Sequence, residues 1–370
     1  MGMYFVKDWY CKPLKDDAIY GAEWAGTSNP SWVRTDAAVG FSAPNPYYAG
    51  MSTTPSSPFD NIMPWSGMRR VTDASAGELV EIPKFYYKWT RDGVKMKLQI
   101  SMSQFDGSHV SPAHAYRGDG VGERDYVYVG RYHCSSSNYK SASGVEPKAT
   151  ITRATARTNI HKLGSNIWQF DFALWWTISM LYLVEYAHWD SQTKIGYGCG
   201  NGSSLENNGA SDTMPYHTGT MKSSRTAYGV GIQYRYIEDL WAGVCDWVDG
   251  IRFSDADVYC INNPASFHDT GNGTLIGQRA TTNNWIKAYN NPSVSGFEYA
   301  LYPNIVDALS GDTYVCDYCN YTSGGMLAFG GLFNNLAKYY GLFYMRGDLT
   351  QKYVDCGARL MVLPPSRLSA

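Results

Sequence analysis

The stretch from Ile167 to Trp189 (IWQFDFALWWTISMLYLVEYAHW) limits this chain more than any other feature. At ~1.5 Å per residue it is long enough, as a helix, to cross a bilayer core of roughly 30 Å. Gln169, Asp171, Thr177, Ser179, Glu185 and His188 interrupt it, however, and ionised groups at bilayer depth are costly unless protein shelters them. A helix that is apolar nearly all round belongs inside a protein. The rest of the chain must therefore be arranged to wrap a buried helix over about 170–188.

Composition agrees with a folded wrapper. The 370 residues include 30 Tyr, 13 Phe and 12 Trp, 15% aromatic in all, with 37 Gly and 16 Pro that favour turns over further long helices. A disordered chain does not carry so many large rings. Only 17% of residues are charged and the net charge is −2, without the basic surplus of a nucleic-acid binder. Met1 to Cys11 contains no apolar run of the length a secretory signal needs, so export is not expected. The eight cysteines, Cys11, Cys134, Cys199, Cys245, Cys260, Cys316, Cys319 and Cys356, are too sparse for a disulfide scaffold and read as reduced, mostly buried thiols.

Residues 1–77 are rich in Pro, Ser, Thr, Gly and Asn, which predicts short strands in a turn-rich N-terminal β module used for assembly or docking. Glu78–Lys88 and Lys95–Ser101 read as strands that can pair across Arg91-Asp92-Gly93, and Tyr126–Tyr132 reads as another. Thr152 supplies a capping hydroxyl and Gly164 a terminator for a first helix; the buried segment is the second. Ser191 to Gly229 reads as loop, and short aromatic strands alternate with turns from there to the end. The expected architecture is α+β, with two helices packed on a small twisted antiparallel sheet and long loops.

Chemistry-bearing motifs are weak. Cys316-Asp317-Tyr318-Cys319 is a lone C-x-x-C without the second pair that structural zinc requires, and it reads as a turn carrying two thiols. His109 and His114 lie near Ser111 and Pro112 with no carboxylate placed as a third ligand, and read as ordinary polar histidines. Gly118–Gly122 and the glycines at 196, 198, 200 and 202 lack the spacing of a phosphate loop. Arg117-Gly118-Asp119 and Arg346-Gly347-Asp348 are tripeptides that chance produces easily. The sequons at Asn201, Asn272 and Asn320 carry no weight without export. Asp246, Asp249, Asp255 and Asp257 have the oxygen chemistry of calcium ligands, but no metal and no cofactor is expected. No G-x-S-x-G, H-E-x-x-H or EF-hand pattern is present, so catalysis is not expected.

Several separated segments carry a resemblance. Ile237 to Asp249 (IEDLWAGVCDWVD) is similar to a tryptophan-rich stretch of the formylglycine-generating branch of the C-type lectin fold, with Trp241, Trp247 and Val248 facing its core. Gly330-Gly331, Gly341-Leu342-Phe343-Tyr344 and Gly357-Ala358-Arg359-Leu360 resemble the frame that closes variable proteins of diversity-generating retroelements. Ile82–Tyr87, Tyr126–Gly130, Thr152–Gly164 and Leu181–Tyr186 resemble tail proteins of phages and prophages from gut Firmicutes. The spacing from Gly331 to Gly341 and from Tyr344 to Gly357 departs from the commonest frames of the variable proteins, and the region is not Asn/Ser-rich.

The resemblance covers residues from about 78 to the end, and 1–77 more loosely. It implies a C-type lectin domain over 78–370, a variable ligand-binding region over 324–358, and a receptor-binding protein of a phage or prophage tail, made in the bacterial cytoplasm and carried on the virion. The implied partners are a bacterial surface protein or glycan and other tail proteins, with trimerisation by analogy to tail tips, and neither nucleic acid nor membrane insertion. Tyrosine-rich composition suits such a role, because Tyr supplies large amphipathic contact area at little rotamer cost. The candidate ligand-binding residues are Met326, Leu327, Phe329, Leu332, Phe333, Asn334, Asn335, Leu336, Tyr339, Tyr340, Met345, Arg346, Asp348 and Tyr353, while Leu342, Phe343, Leu360 and Val362 are expected in the core. Two other readings stand beside it: a formylglycine-generating-type oxidoreductase using Cys316, Cys319 or Cys356, and a purely structural tail component.

Overall fold

Strands rather than helices carry the architecture. The computed structural model describes residues 17–198, 205–271, 273–321, 324–330, 340–347 and 352–368, with the backbone alone at 324–327. It is mostly β, with 34% of the chain in strands and 10% in helices, and its sheets are large and curled. This overturns the expected α+β C-type lectin fold of two helices on a small sheet. Short strands were legible as runs of β-branched and aromatic residues, but how many strands join one sheet depends on pairing between distant segments, to which local pattern is blind.

Four sheets result. The first orders Val33–Asp36, Tyr20–Trp24, Lys95–Ser101, Tyr86–Asp92 and His109–Val110, and the second Ile167–Gln169, Leu360–Val362, Tyr126–Gly130, Gly77–Pro83 and Arg69–Asp73. The third joins Ile237–Glu238, Ile232–Tyr234, Gly219–Thr220 and Tyr47–Tyr48. The largest runs through Thr274–Gln278, Asp257–Cys260, Cys245–Ser254, Gly324–Phe329, Met345–Gly347, Tyr318–Tyr321, Asn284–Tyr289 and Pro303–Asp307, and Cys356–Gly357 adds in parallel beside Cys245–Ser254. Strands from the first 77 residues are hydrogen-bonded to later ones: Tyr20–Trp24 lies against Lys95–Ser101, and Arg69–Asp73 against Gly77–Pro83. The expected hairpin forms, with Asp92 opposite Lys95 and Gly93 at φ 58° in its turn, a conformation that glycine takes without strain.

Both expected helices are present, and a third is short. Helix α1 spans Arg153–His161, with the Thr152 hydroxyl accepting from the Thr155 N–H. Helix α2 spans Phe172–Tyr186, capped by the Asp171 carboxylate accepting from the Leu174 N–H at 2.8 Å and ended by Ala187 in the left-handed region. All fifteen residues of α2 are buried, as its sequence predicts. Helix α3 is the single turn Ser191–Lys194. No helix among the described residues is long and apolar enough to cross a membrane.

Wrapping α2 consumes much of the aromatic content. Trp175 stacks on Phe329 with centroids 4.0 Å apart, Trp189 meets Phe343 edge-on at 4.8 Å, and Trp24, Trp32 and Trp189 form a second ring cluster. The ionised member of α2 is satisfied, whereas the Ser179 and Tyr182 hydroxyls are buried without a partner. Glu185 accepts from Ser57, Tyr234 and both Nε and Nη2 of Arg235, so a charge that would be costly in a core is paired and fully hydrogen-bonded.

Candidate functional site

The C-terminal residues proposed for recognition divide on inspection. Phe329, Tyr340 and Met345 are buried, contrary to the expectation that they face solvent. Phe329 closes over Trp175 and Phe172, Tyr340 packs edge-on against Tyr344 at 4.6 Å, and Met345 sits mid-sheet between Cys319 and Phe329. For Phe329 and Met345 burial follows from strand pairing inside the nine-stranded sheet, which turns both side chains onto the α2 core, whereas Tyr340 joins a second buried cluster with Tyr344 and Trp247. Arg346 is half-buried and donates to Asp355 at 3.0 Å, with its guanidinium 4.6 Å above the half-buried Tyr353 ring. Met326 and Leu327 lie on the strand Gly324–Phe329. Leu332, Phe333, Asn334, Asn335, Leu336, Tyr339 and Asp348 lie outside the described residues. Leu342, Phe343, Leu360 and Val362 are core, as expected, and so are Trp241, Trp247 and Val248.

Motif arginines and aspartates also turn out to be structural. Arg359 of the Gly-Ala-Arg-Leu segment is fully buried; it pairs with Asp246 at 2.8 Å and donates to the carbonyls of Gly130, Arg131, Glu238 and Asp239. Burial alone would raise the Asp246 carboxyl, but the Arg359 and His133 charges outweigh it and hold it below the usual range. Asp249 is occupied by Arg157 and Arg153. Among the described residues no three His, Cys, Asp or Glu gather as a metal site. Cys316, Cys319 and Cys356 are buried thiols pushed up by desolvation, Cys319 to about 12.

A cleft of about 420 Å³ lies elsewhere, between three loops that are far apart in sequence. That volume is within the range of ~300–1,000 Å³ typical of small-ligand sites. The first wall is the loop after His109–Val110, held by His114. The Ile82 carbonyl can only accept, so His114 Nε2 carries the proton, and Nδ1 accepts from the Ser111 hydroxyl at 2.7 Å. Both ring nitrogens are thus used by the neutral form, and burial lowers this histidine to about 3.

From that loop Arg117 reaches inward. Its Nη2 pairs with the same Asp171 carboxylate that caps α2, its Nε donates to the Asn262 carbonyl at 2.8 Å, and its Nη1 is buried without any partner. Burial by itself would lower the Arg117 pKa; the Asp171 charge outweighs it and raises it. The second wall is Asn262, which donates to the Gly296 carbonyl and accepts from the Tyr299 hydroxyl, both at 3.2 Å. The third is the loop 295–299, where Gly296 at φ 82° donates to Glu298 at 3.0 Å. Tyr87 and Tyr299 are buried in the lining, and Tyr116 stands 59% exposed beside them.

Beyond Asn262 a second, more open cleft of about 470 Å³ continues past Asn263, Ser266 and His268, whose Nδ1 is likewise buried without a partner. An unpartnered buried donor is rare, because leaving it unmade costs ~1–3 kcal/mol. Sequence reasoning missed this site. Arg117 was conspicuous only as part of an Arg-Gly-Asp tripeptide, which is not displayed here, since Arg117 is held by Asp171 and Asp119 by Arg124. Nothing local links residues 87, 116–117, 262 and 296–299. In comparisons with known proteins, the chain matches no family model and no curated protein.

Proposed function

We propose that this chain is a non-catalytic ligand-binding protein that serves as a receptor-binding component of a phage or prophage tail and attaches to a molecule on the bacterial surface. The observation that carries the reading is the cleft between the loops at 111–118, 262 and 295–299. It is lined by three tyrosines and by convergent polar groups, and one buried guanidinium nitrogen in its wall lacks a partner. Such a constellation orients a ligand without needing a nucleophile or a general base. The tail assignment is supported by the order of the resembling segments and by the tyrosine content, with the recognition surface moved from Phe329, Tyr340 and Met345 to the cleft. Against the oxidoreductase reading stands the state of Cys316, Cys319 and Cys356, which burial keeps as thiols when such chemistry calls for thiolate.

The test is saturable binding of fluorescently labelled protein to a panel of gut Firmicutes, together with immunogold labelling of virions. Expected are at least one strain that binds and gold at the distal end of the tail. Absence of saturable binding on every strain, or label enclosed within the tail tube, refutes the reading.

A further inference from the structure

We infer that the cleft takes an uncharged sugar ring, with Tyr116 covering one face of it and Arg117 Nη1 donating to a ring or hydroxyl oxygen. This names the ligand class for the binding function proposed above and rests on that reading.

The charge of the lining selects against anions. The Arg117 charge is already neutralised by Asp171. Glu298 and Glu123 remain on the cleft, Glu123 lying 3.6 Å from Lys84 at the edge. A carboxylate or phosphate entering beside Arg117 meets two acidic side chains and finds the guanidinium charge spent. A neutral molecule that both donates and accepts escapes that penalty.

Polyhydroxylated rings have that property, because each hydroxyl donates one hydrogen bond and accepts others. The wall offers the complement: a donor with no partner at Arg117 Nη1, and a carboxylate acceptor at Glu298 whose Oε1 is already fixed by the Gly296 N–H. A sugar also has an apolar face of C–H groups, and Tyr116 is a large, exposed and amphipathic ring on the same cleft. The neighbouring cleft meets this one at Asn262 and carries its own unpartnered atom, His268 Nδ1, so a second ring of the same chain has a place to sit.

The probes are lactose, maltose, mannobiose and N,N′-diacetylchitobiose, compared with a hyaluronan disaccharide and with choline, by saturation-transfer NMR and calorimetry on the full chain. Expected is binding of at least one neutral disaccharide with Kd of ~10 mM or tighter. Tyr116→Ala and Glu298→Gln each weaken it at least about tenfold, equivalent to ~1.4 kcal/mol, with Tm unchanged. The inference is overturned if no neutral disaccharide binds, if the charged probes bind as well or better, or if both variants bind as the parent does. Cell binding by the labelled protein is measured in parallel: cell binding without sugar binding removes the sugar and leaves the receptor-binding reading intact, whereas loss of cell binding removes that reading.

Discussion

Replacing Phe329 by Ala separates a core role from a recognition role at the residue where they conflict most sharply. Phe329 is 2% exposed, and its ring lies 4.0 Å from Trp175 at 17° and 6.2 Å from Phe172 at 15°. Withdrawing the ring from the core costs ~1.5–3 kcal/mol in transfer free energy. The void left under α2 and the two lost ring pairs add ~1–2 kcal/mol more. The total, ~3–5 kcal/mol, is a large part of the ~5–15 kcal/mol that holds a native protein together. The strand hydrogen bonds opposite Asp246 and Met345 are main-chain and survive the change, so the unfolding slope in urea should be preserved while the midpoint falls. With ~2.1 cal/mol/K of unfolding entropy per residue over 370 residues, each kcal/mol lowers Tm by ~1.3 °C, and Tm falls by roughly 4–6 °C. The assay is urea unfolding followed by circular dichroism, with Phe329→Leu as a milder companion. An exposed recognition residue would change stability by no more than ~0.5 kcal/mol. A loss below ~1 kcal/mol would refute the placement of Phe329 in the core and return it to the binding face.

Other outcomes follow from the same contacts. Arg359→Met strands the buried Asp246 carboxylate and four main-chain carbonyls, at a cost of ~3–5 kcal/mol in urea; Arg359→Met with Asp246→Leu should recover part of it, and equal stability of single and double variants would contradict the pairing. His114 is lowered to about 3 by burial, below the ~6.5 of an unfolded chain, so the unfolded state alone takes up this proton between those values. Stability from this group is complete above pH ~6.5 and falls by up to ~1.4 kcal/mol per pH unit toward 3. His114→Asn should flatten the stability profile between pH ~6.5 and 5, leaving the share due to His188, which is also lowered to about 3; an unchanged slope would refute it. Cys316, Cys319 and Cys356 should be labelled by iodoacetamide only after denaturation, as read by peptide mass spectrometry, and rapid native labelling of any of them would revive a thiol chemistry.

Local chemistry was readable from the chain alone. The apolar run at 170–188 announced a buried helix, Thr152 announced another with its cap, and the alternation in Lys95–Ser101 announced one arm of a hairpin. Each of these signals is confined to a few neighbouring residues, because capping, periodicity and turn geometry are local interactions. Arg359 was conspicuous in the sequence as part of a family-like frame, but its partners at 130, 131, 238, 239 and 246 assign it to holding strands together rather than to binding.

The sheet count, the burial of Phe329 and the cleft belong to the tertiary structure. A side chain between two turn-forming segments faces solvent or core according to which strand lies beside its own, and for Phe329 those neighbours carry Asp246 and Met345. The cleft depends on the same long-range pairing. Asp171 must cap α2 and hold Arg117 at once, while Asn262 ties that arginine to the turn at Gly296, before any of these groups lines a common wall. The sequence alone therefore determined the two longer helices, the hairpin and the bulk burial of α2, since those follow from neighbours along the chain, but not the turn of helix at Ser191–Lys194 in a segment that reads as loop. Which of the tyrosines line the cleft was decided only when segments more than a hundred residues apart were packed together.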